Sequence, residues 1–201
     1  MCNCTLVTQE APDFVADAVM PDNTFGTIKL SSYRGKYVIL FFYPLDFTFV
    51  CPSEILAFDK RLNDFKSKNC EVIAVSVDSK FTHLAWKNTP VDNGGIGGVG
   101  YPMVSDLRKE ISKQYGVLFE KAGVALRGLF LIDTKGIVRH AVINDLPLGR
   151  SVNEALRMVD ALQFVETHGD QVCPANWQEG DEAMKPTAEG VASYLAKHAK
   201  G

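Results

Sequence analysis

The sequence predicts an α/β fold: a central mixed sheet with helices on both faces, followed by an extended C-terminal arm. Three observations predict it. Residues 37–43 and 70–78 are two near-continuous apolar runs, Tyr-Val-Ile-Leu-Phe-Phe-Tyr and Cys-Glu-Val-Ile-Ala-Val-Ser-Val-Asp. Their length and their β-branched and aromatic content fit strands covered on both sides. Between them Ile55, Phe58, Leu62 and Phe65 recur at three- and four-residue spacing, which is the apolar stripe of a helix. Residues 129–133 and 137–143 then flank Thr134-Lys135-Gly136, a hairpin signal. Strands alternating with helices, closed by a hairpin and a helix, make a mixed sheet.

Taken in order, residues 1–10 read as a loosely attached start. Its Cys2-x-Cys4 has no His or Cys nearby to complete a metal site and reads as two incidental thiols. Residues 11–19 are extended, Pro21-Asp22-Asn23 is a turn, 25–30 a short strand and 31–36 a loop or turn. The first apolar strand leads into residues 43–54 and then a helix expected to run to about Lys68. Cys70 opens the second strand and reads as a core filler. Residues 79–88 are expected to be a helix with Phe81, Leu84 and Ala85 inward. Residues 93–100 are glycine-rich and contain a literal G-x-G-x-x-G from Gly95 to Gly100. A dinucleotide fingerprint must follow a strand and open a helix. Asn88-Thr89-Pro90 before it and Tyr101-Pro102 after it exclude that, which leaves a flexible loop or a hinge. A short strand at 103–105 and a helix over 107–115, closed by Gly116, precede the hairpin. Ser151-x-x-Glu154 is a capping box opening a helix with Val152, Ala155, Leu156, Val159 and Leu162 inward, ended by Gly169. Beyond Asp170 the chain turns loop-rich around Val172-Cys173-Pro174, and 187–199 form a last amphipathic helix. The expected division is a domain over 1–168 and an arm over 169–201.

With 201 residues, 46% of them apolar, the chain can bury a full core. A net charge of −3 with no basic cluster argues against a nucleic-acid partner. The first residues lack the basic start and apolar core of a secretory signal, and no apolar run reaches membrane-spanning length. The expectation is a soluble, cytoplasmic protein. There are five cysteines and no Cys-x-x-Cys, which weighs against a redox dithiol or a zinc ribbon. An odd count in a reducing compartment suits reactive thiols better than a disulfide framework.

Cys51 is the thiol placed for reactivity. It falls where a loop becomes a helix, and Pro52 suits the first helical position because its missing N–H would be unpaired there. Unpaired N–H groups and the positive end of the helix dipole then favour an anionic sulfur.

Pro44-x-x-x-Thr48-x-x-Cys51 resembles the active-site signature of the peroxiredoxins. With Phe49-Val50-Cys51-Pro52-x-Glu54 added, the string is similar to the typical 2-Cys group, which includes the bacterial alkyl hydroperoxide reductase peroxidase subunit. The resemblance runs from about Ala11 to about Lys197. It implies a thioredoxin-like fold and a peroxidase acting on hydrogen peroxide and organic hydroperoxides, without metal, flavin or haem. It makes Cys51 the peroxidatic cysteine, oxidised to a sulfenic acid, and Cys173 the resolving cysteine of another subunit. Thr48 and Arg127 become partners of sulfur and peroxide, although Arg127 read by itself is a surface residue at a strand start. Pro44 becomes a shield against water, and Arg150 the partner of Glu54. The implied assembly is a homodimer, often five dimers in a ring. The reductant is thioredoxin or a flavoprotein disulfide reductase, and the residues do not decide between them. Peroxiredoxins can also act as peroxide sensors or holdase chaperones; the intact set of Thr48, Cys51, Arg127 and Cys173 favours catalysis. Ser53 replaces the family's usual Thr. Gly94-Gly95-Ile96-Gly97 resembles one half of the feature that makes some members prone to over-oxidation. Tyr194-Leu195 replaces the Tyr-Phe of the other half, which implies intermediate sensitivity.

Overall fold

A computed structural model describes residues 5–199; Cys2 and Cys4 lie outside them. The strands are β1 (Val15–Val19), β2 (Phe25–Lys29), β3 (Tyr37–Phe42), β4 (Cys70–Ser76), β5 (Met103–Ser105), β6 (Leu118–Phe119), β7 (Val124–Ala125), β8 (Arg127–Ile132) and β9 (Val138–Asn144). The helices are α1 (Cys51–Lys60), α2 (Leu62–Ser67), α3 (Lys80–Asn88), α4 (Glu110–Gln114), α5 (Val152–Thr167) and α6 (Ala188–His198). Seven strands form one sheet in the order β2-β1-β5-β4-β3-β8-β9. β3, β4 and β5 are parallel and the outer strands antiparallel, the mixed sheet that the sequence predicts.

β3 is buried along its whole length, and alternation sends its side chains to two faces. Val38, Leu40 and Phe42 enter a core with Ile73, Val75, Val104, Phe130, Ile111 and Tyr115, so α4 covers that face. Phe41, pointing the other way, stacks on Phe58 of α1 at 4.5 Å. Helices on both faces explain why β3 reads as an unbroken apolar run.

Three expectations need correction. The helix expected over 51–68 is two helices, because Arg61 leaves helical geometry (φ −106°, ψ 10°) and its carbonyl takes the N–H of Asp64 three residues on. The inward face of α3 is not Phe81, Leu84 and Ala85: Phe81 is exposed, Leu84 only partly covered and Ala85 exposed, while His83, Trp86 and Lys87 are buried. The helix expected over 107–115 starts only at Glu110. Asp106 accepts the N–H groups of Ile111 and Ser112 and the Ser112 hydroxyl, and Lys109 adopts left-handed backbone (φ 61°) at the start. The small hairpin β6–β7 has no counterpart in the sequence reading.

The described residues form two compact units, one up to Val152 and one from Asn153. In the second, Thr187 caps α6 by accepting the Gly190 N–H, and Val172 and Met184 pair as an isolated bridge. Among the described residues no helix is long and apolar enough to cross a membrane.

Candidate active site

Cys51 is the first residue of α1 and is fully buried. It follows the loop that leaves the C-terminal end of β3, and Pro52 is the second residue of the helix rather than the first, still within the first turn. Because β8 pairs with β3, Arg127 at the start of β8 is brought to the same end of the sheet. Its Nη1 donates to Cys51 Sγ at 3.5 Å and to Glu54 Oε2 at 2.6 Å, and its Nε donates to the Leu146 carbonyl at 2.6 Å. Arg127 is therefore a buried site residue rather than a surface one.

Glu54, one turn along α1 from Cys51, is buried between two guanidinium groups. Arg150 donates its backbone N–H and its Nε to Oε1 at 2.8 Å each, and Nη2 to Oε2 at 3.0 Å. The rest of Arg150 is spent on the carbonyls of Phe42 and Gly128 at 2.8 and 2.6 Å, and its guanidinium lies over the Phe41 ring. Burial works to raise the Glu54 carboxyl pKa, but the hydrogen bonds and charge of Arg150, with the charge of Arg127, hold it below its usual value. Two guanidinium groups and one carboxylate leave one buried positive charge facing the sulfur.

Thr48 is half-buried and its hydroxyl donates to the Leu45 carbonyl at 2.8 Å. The hydrogen is committed there, so what the hydroxyl offers the site is an acceptor lone pair. Pro44 is buried. The glycine-rich loop is fastened down: Gly94 accepts from Trp86 Nε1 at 2.9 Å, Gly100 N–H donates to Asp59 at 2.7 Å, and the Tyr101 hydroxyl donates to the Ile55 carbonyl at 2.7 Å. Those last two bonds tie it to the helix that carries Cys51.

Sequence reasoning missed a buried polar group beside this site: Tyr43, Asp46, Asp78 and His83. The ligand atoms of Asp46, Asp78 and His83 lie within 4.8 Å of one another, but they are engaged with each other and with Tyr43, Ser76 and the Val104 carbonyl. A His on a helix gives no sign in sequence of which way it points. The one available signal was that Asp46 lies inside the signature string.

The other thiols differ. Cys70 is buried in β4, and burial pushes its thiol up to about 12, so it is a core residue as expected. Cys173, in the second unit, is half-buried, with Sγ 3.7 Å from the Ala161 carbonyl. Burial raises its pKa, opposed by the charge of Arg157.

Residues 7–141 match the family model described as AhpC/TSA family. This chain belongs to that family, the peroxiredoxins. Residues 161–197 match a second model, the C-terminal domain of 1-Cys peroxiredoxin; in this peroxiredoxin the matched span contains Cys173. The chain is 58% identical to Peroxiredoxin-1 of Gekko japonicus, over 94% of each chain. It is 56% identical to a mitochondrial thioredoxin-dependent peroxide reductase of Rattus norvegicus, over 95% of this chain and 74% of that one. The reduced 2-Cys peroxiredoxin of Plasmodium vivax superposes with a TM-score of 0.93 at 56% identity, covering 96% of this chain and 100% of that one. The thioredoxin-like fold and the typical 2-Cys group expected from the signature follow, and with them thiol-specific peroxidase function.

Proposed function

We propose that Cys51 carries the peroxidase chemistry and Cys173 resolves it. The observation that carries this reading is the enclosed Cys51 sulfur under Arg127 Nη1 at 3.5 Å, with Arg127 itself fixed by Glu54 and Leu146. The thiolate of Cys51 attacks the terminal oxygen of ROOH. The O–O bond breaks, the sulfur is oxidised to the sulfenic acid, and RO⁻ leaves and takes a proton to become ROH. Thr48 accepts a hydrogen bond from the peroxide hydroxyl, Arg127 donates to the charge developing on the oxygens, and Pro44 excludes water. Raising a thiol from a few per cent to full ionisation is worth only about 2 kcal/mol. A millionfold acceleration needs about 8 kcal/mol. Preorganised donors must supply most of the difference, and a guanidinium fixed by Glu54 and the Leu146 carbonyl is such a donor.

The Cys173 thiol then attacks the sulfenic sulfur, forming a disulfide and releasing water. The reading places this bond between subunits of a homodimer, with five dimers in a ring as the larger assembly. β9 is an edge strand with Ile143 exposed, which supports pairing through that edge. The similarity to a thioredoxin-dependent peroxide reductase favours thioredoxin over a flavoprotein reductase, and the compartment in this reading is the cytoplasm. The test is peroxide consumption recycled by each reductant in turn. Cys51→Ser should abolish it and Cys70→Ser should leave it intact; residual turnover in Cys51→Ser would overturn the assignment.

A further inference from the structure

The loop that carries Thr48 is held in a backbone conformation it would not choose. Phe47 has φ 54°, a left-handed geometry that costs a bulky residue energy and persists only when the surroundings impose it. Phe47 is half exposed, and its ring meets Trp86 at 5.8 Å, too little to impose it alone. The neighbouring Asp46 is anchored far more firmly. Its Oδ1 accepts the Tyr43 hydroxyl at 2.7 Å, and its Oδ2 faces His83 Nδ1 at 2.7 Å. Its backbone N–H donates to Asp78 Oδ2 at 2.9 Å.

Each anchor is itself fixed to the sheet. His83 is fully buried, and its Nε2 faces the Val104 carbonyl of β5 at 3.2 Å. Both ring nitrogens thus face oxygens, Asp46 on one side and the Val104 carbonyl on the other, so the ring spans the gap between the loop and β5. Asp78 Oδ2 also accepts the Ser76 hydroxyl at 2.6 Å, at the end of β4, and the Asp78 carbonyl accepts the Ser105 hydroxyl at 2.6 Å, at the end of β5. The loop following β3 is in this way tied to the parallel strands β4 and β5, and to α3.

We propose that Asp46, His83 and Asp78 are positioning residues for the peroxidase reaction: they clamp residues 44–48, with Phe47 in left-handed backbone, so that Leu45 and Thr48 hold the Thr48 hydroxyl oriented towards peroxide. None of the three touches Cys51 or the peroxide; they act through Thr48. The proposal rests on the reading of Thr48 as the peroxide's acceptor. It places part of the machinery for the first step in α3 and in the ends of β4 and β5, outside the signature string.

The experiment is a double-mutant cycle on single-turnover peroxide reduction, with alkylation of Cys51 by iodoacetamide as the control. Asp46→Asn keeps the size of the side chain but replaces one of its two accepting oxygens by an amide donor, set against either the Tyr43 hydroxyl or His83. It is expected to lower the peroxide rate constant about tenfold or more, while Cys51 alkylation stays within about twofold, since an alkylating agent does not use Thr48. Thr48→Val is expected to show a similar loss. The double variant should then be within about threefold of Thr48→Val alone, because residues acting through one group do not add. Multiplied losses in the double variant, or an Asp46→Asn that matches wild type or slows alkylation equally, would overturn the clamp while leaving the peroxidase reading intact. A wild-type rate in Thr48→Val would overturn the role of Thr48, and the clamp with it. If Asp46→Asn does not fold, Asp78→Ala takes its place. It should show the same selective loss, and Asp78→Asn, whose amide oxygen still accepts the Asp46 N–H, should restore the rate; no rescue counts against the clamp.

Discussion

Cys51 is enclosed at the start of a helix, under a guanidinium that also serves a buried carboxylate, and that carboxylate is held by a second buried guanidinium. Cys173 is half-buried in a loop closed by one isolated bridge, with one charged side chain, Arg157, influencing it. Around Cys51, in the first unit, the charged groups Glu54, Arg127 and Arg150 are desolvated and depend on one another. In the second, Glu182 bridges Lys197 and His198 with all three exposed. The difference teaches a division of labour. Reaction with peroxide needs charges that do not reorganise, so its groups are buried at a cost that only full pairing offsets. Resolution needs a sulfur that can be delivered, and a lightly held segment serves that.

If this contrast is right, substitutions near Cys51 are severe and those in the second unit mild. The largest effect should come from Arg150→Ala, which strips Glu54 of its side-chain bonds to that arginine and takes a donor from the Phe42 and Gly128 carbonyls. Breaking such a buried pair costs about 3–5 kcal/mol, to be read by urea unfolding; a loss under about 1 kcal/mol would break the contrast. Next is Arg127→Lys, which keeps the charge but loses the planar fork that reaches Sγ, Glu54 and Leu146 together. The peroxide rate constant should fall at least tenfold, about 1.4 kcal/mol, in stopped-flow reduction.

A smaller and pH-dependent effect belongs to Glu54. Its folded pKa lies below its ordinary value of 4.5. Its contribution to stability is therefore fully present above pH 4.5 and is lost as pH falls through the lower folded value. Unfolding followed across that acid window should show a steeper loss for wild type than for Glu54→Gln, and equal slopes would contradict the pairing. The smallest effect is expected for Glu182→Gln, whose partners are exposed and solvated: no measurable change in Tm and no change in peroxide rate.

How much of this was legible in the sequence follows the same divide. The Cys51 end of the site was readable because its parts are local: Thr48, Cys51, Pro52 and Glu54 fall within one short string that turns from loop to helix. Arg127 and Arg150 were reachable only through family resemblance, since the pairing of β8 with β3 brings Arg127 to Glu54 and the loop between β9 and α5 brings Arg150. The clamp was illegible. α3 carries an apolar Phe81 that lies outside against Phe25 at 5.3 Å, and a His83 and a Lys87 that lie inside. Periodicity ranks residues by polarity and misreads such a helix, because His83 finds Asp46 and Val104, and Lys87 finds the Met20 carbonyl at 2.8 Å. The late start of α4 was hidden for a similar reason: Asp106 caps backbone five and six residues ahead, a span no local rule reads.

The central claim is that the first unit holds what peroxide reduction requires and that Cys173 acts only afterwards. Stopped-flow reduction of one portion of peroxide by reduced Cys173→Ser, without recycling reductant, tests it most directly. The account predicts the wild-type rate constant and about one equivalent consumed per chain, ending at the Cys51 sulfenic acid with no disulfide-linked dimer. A rate constant reduced tenfold, or continued turnover once thioredoxin is added, would contradict it.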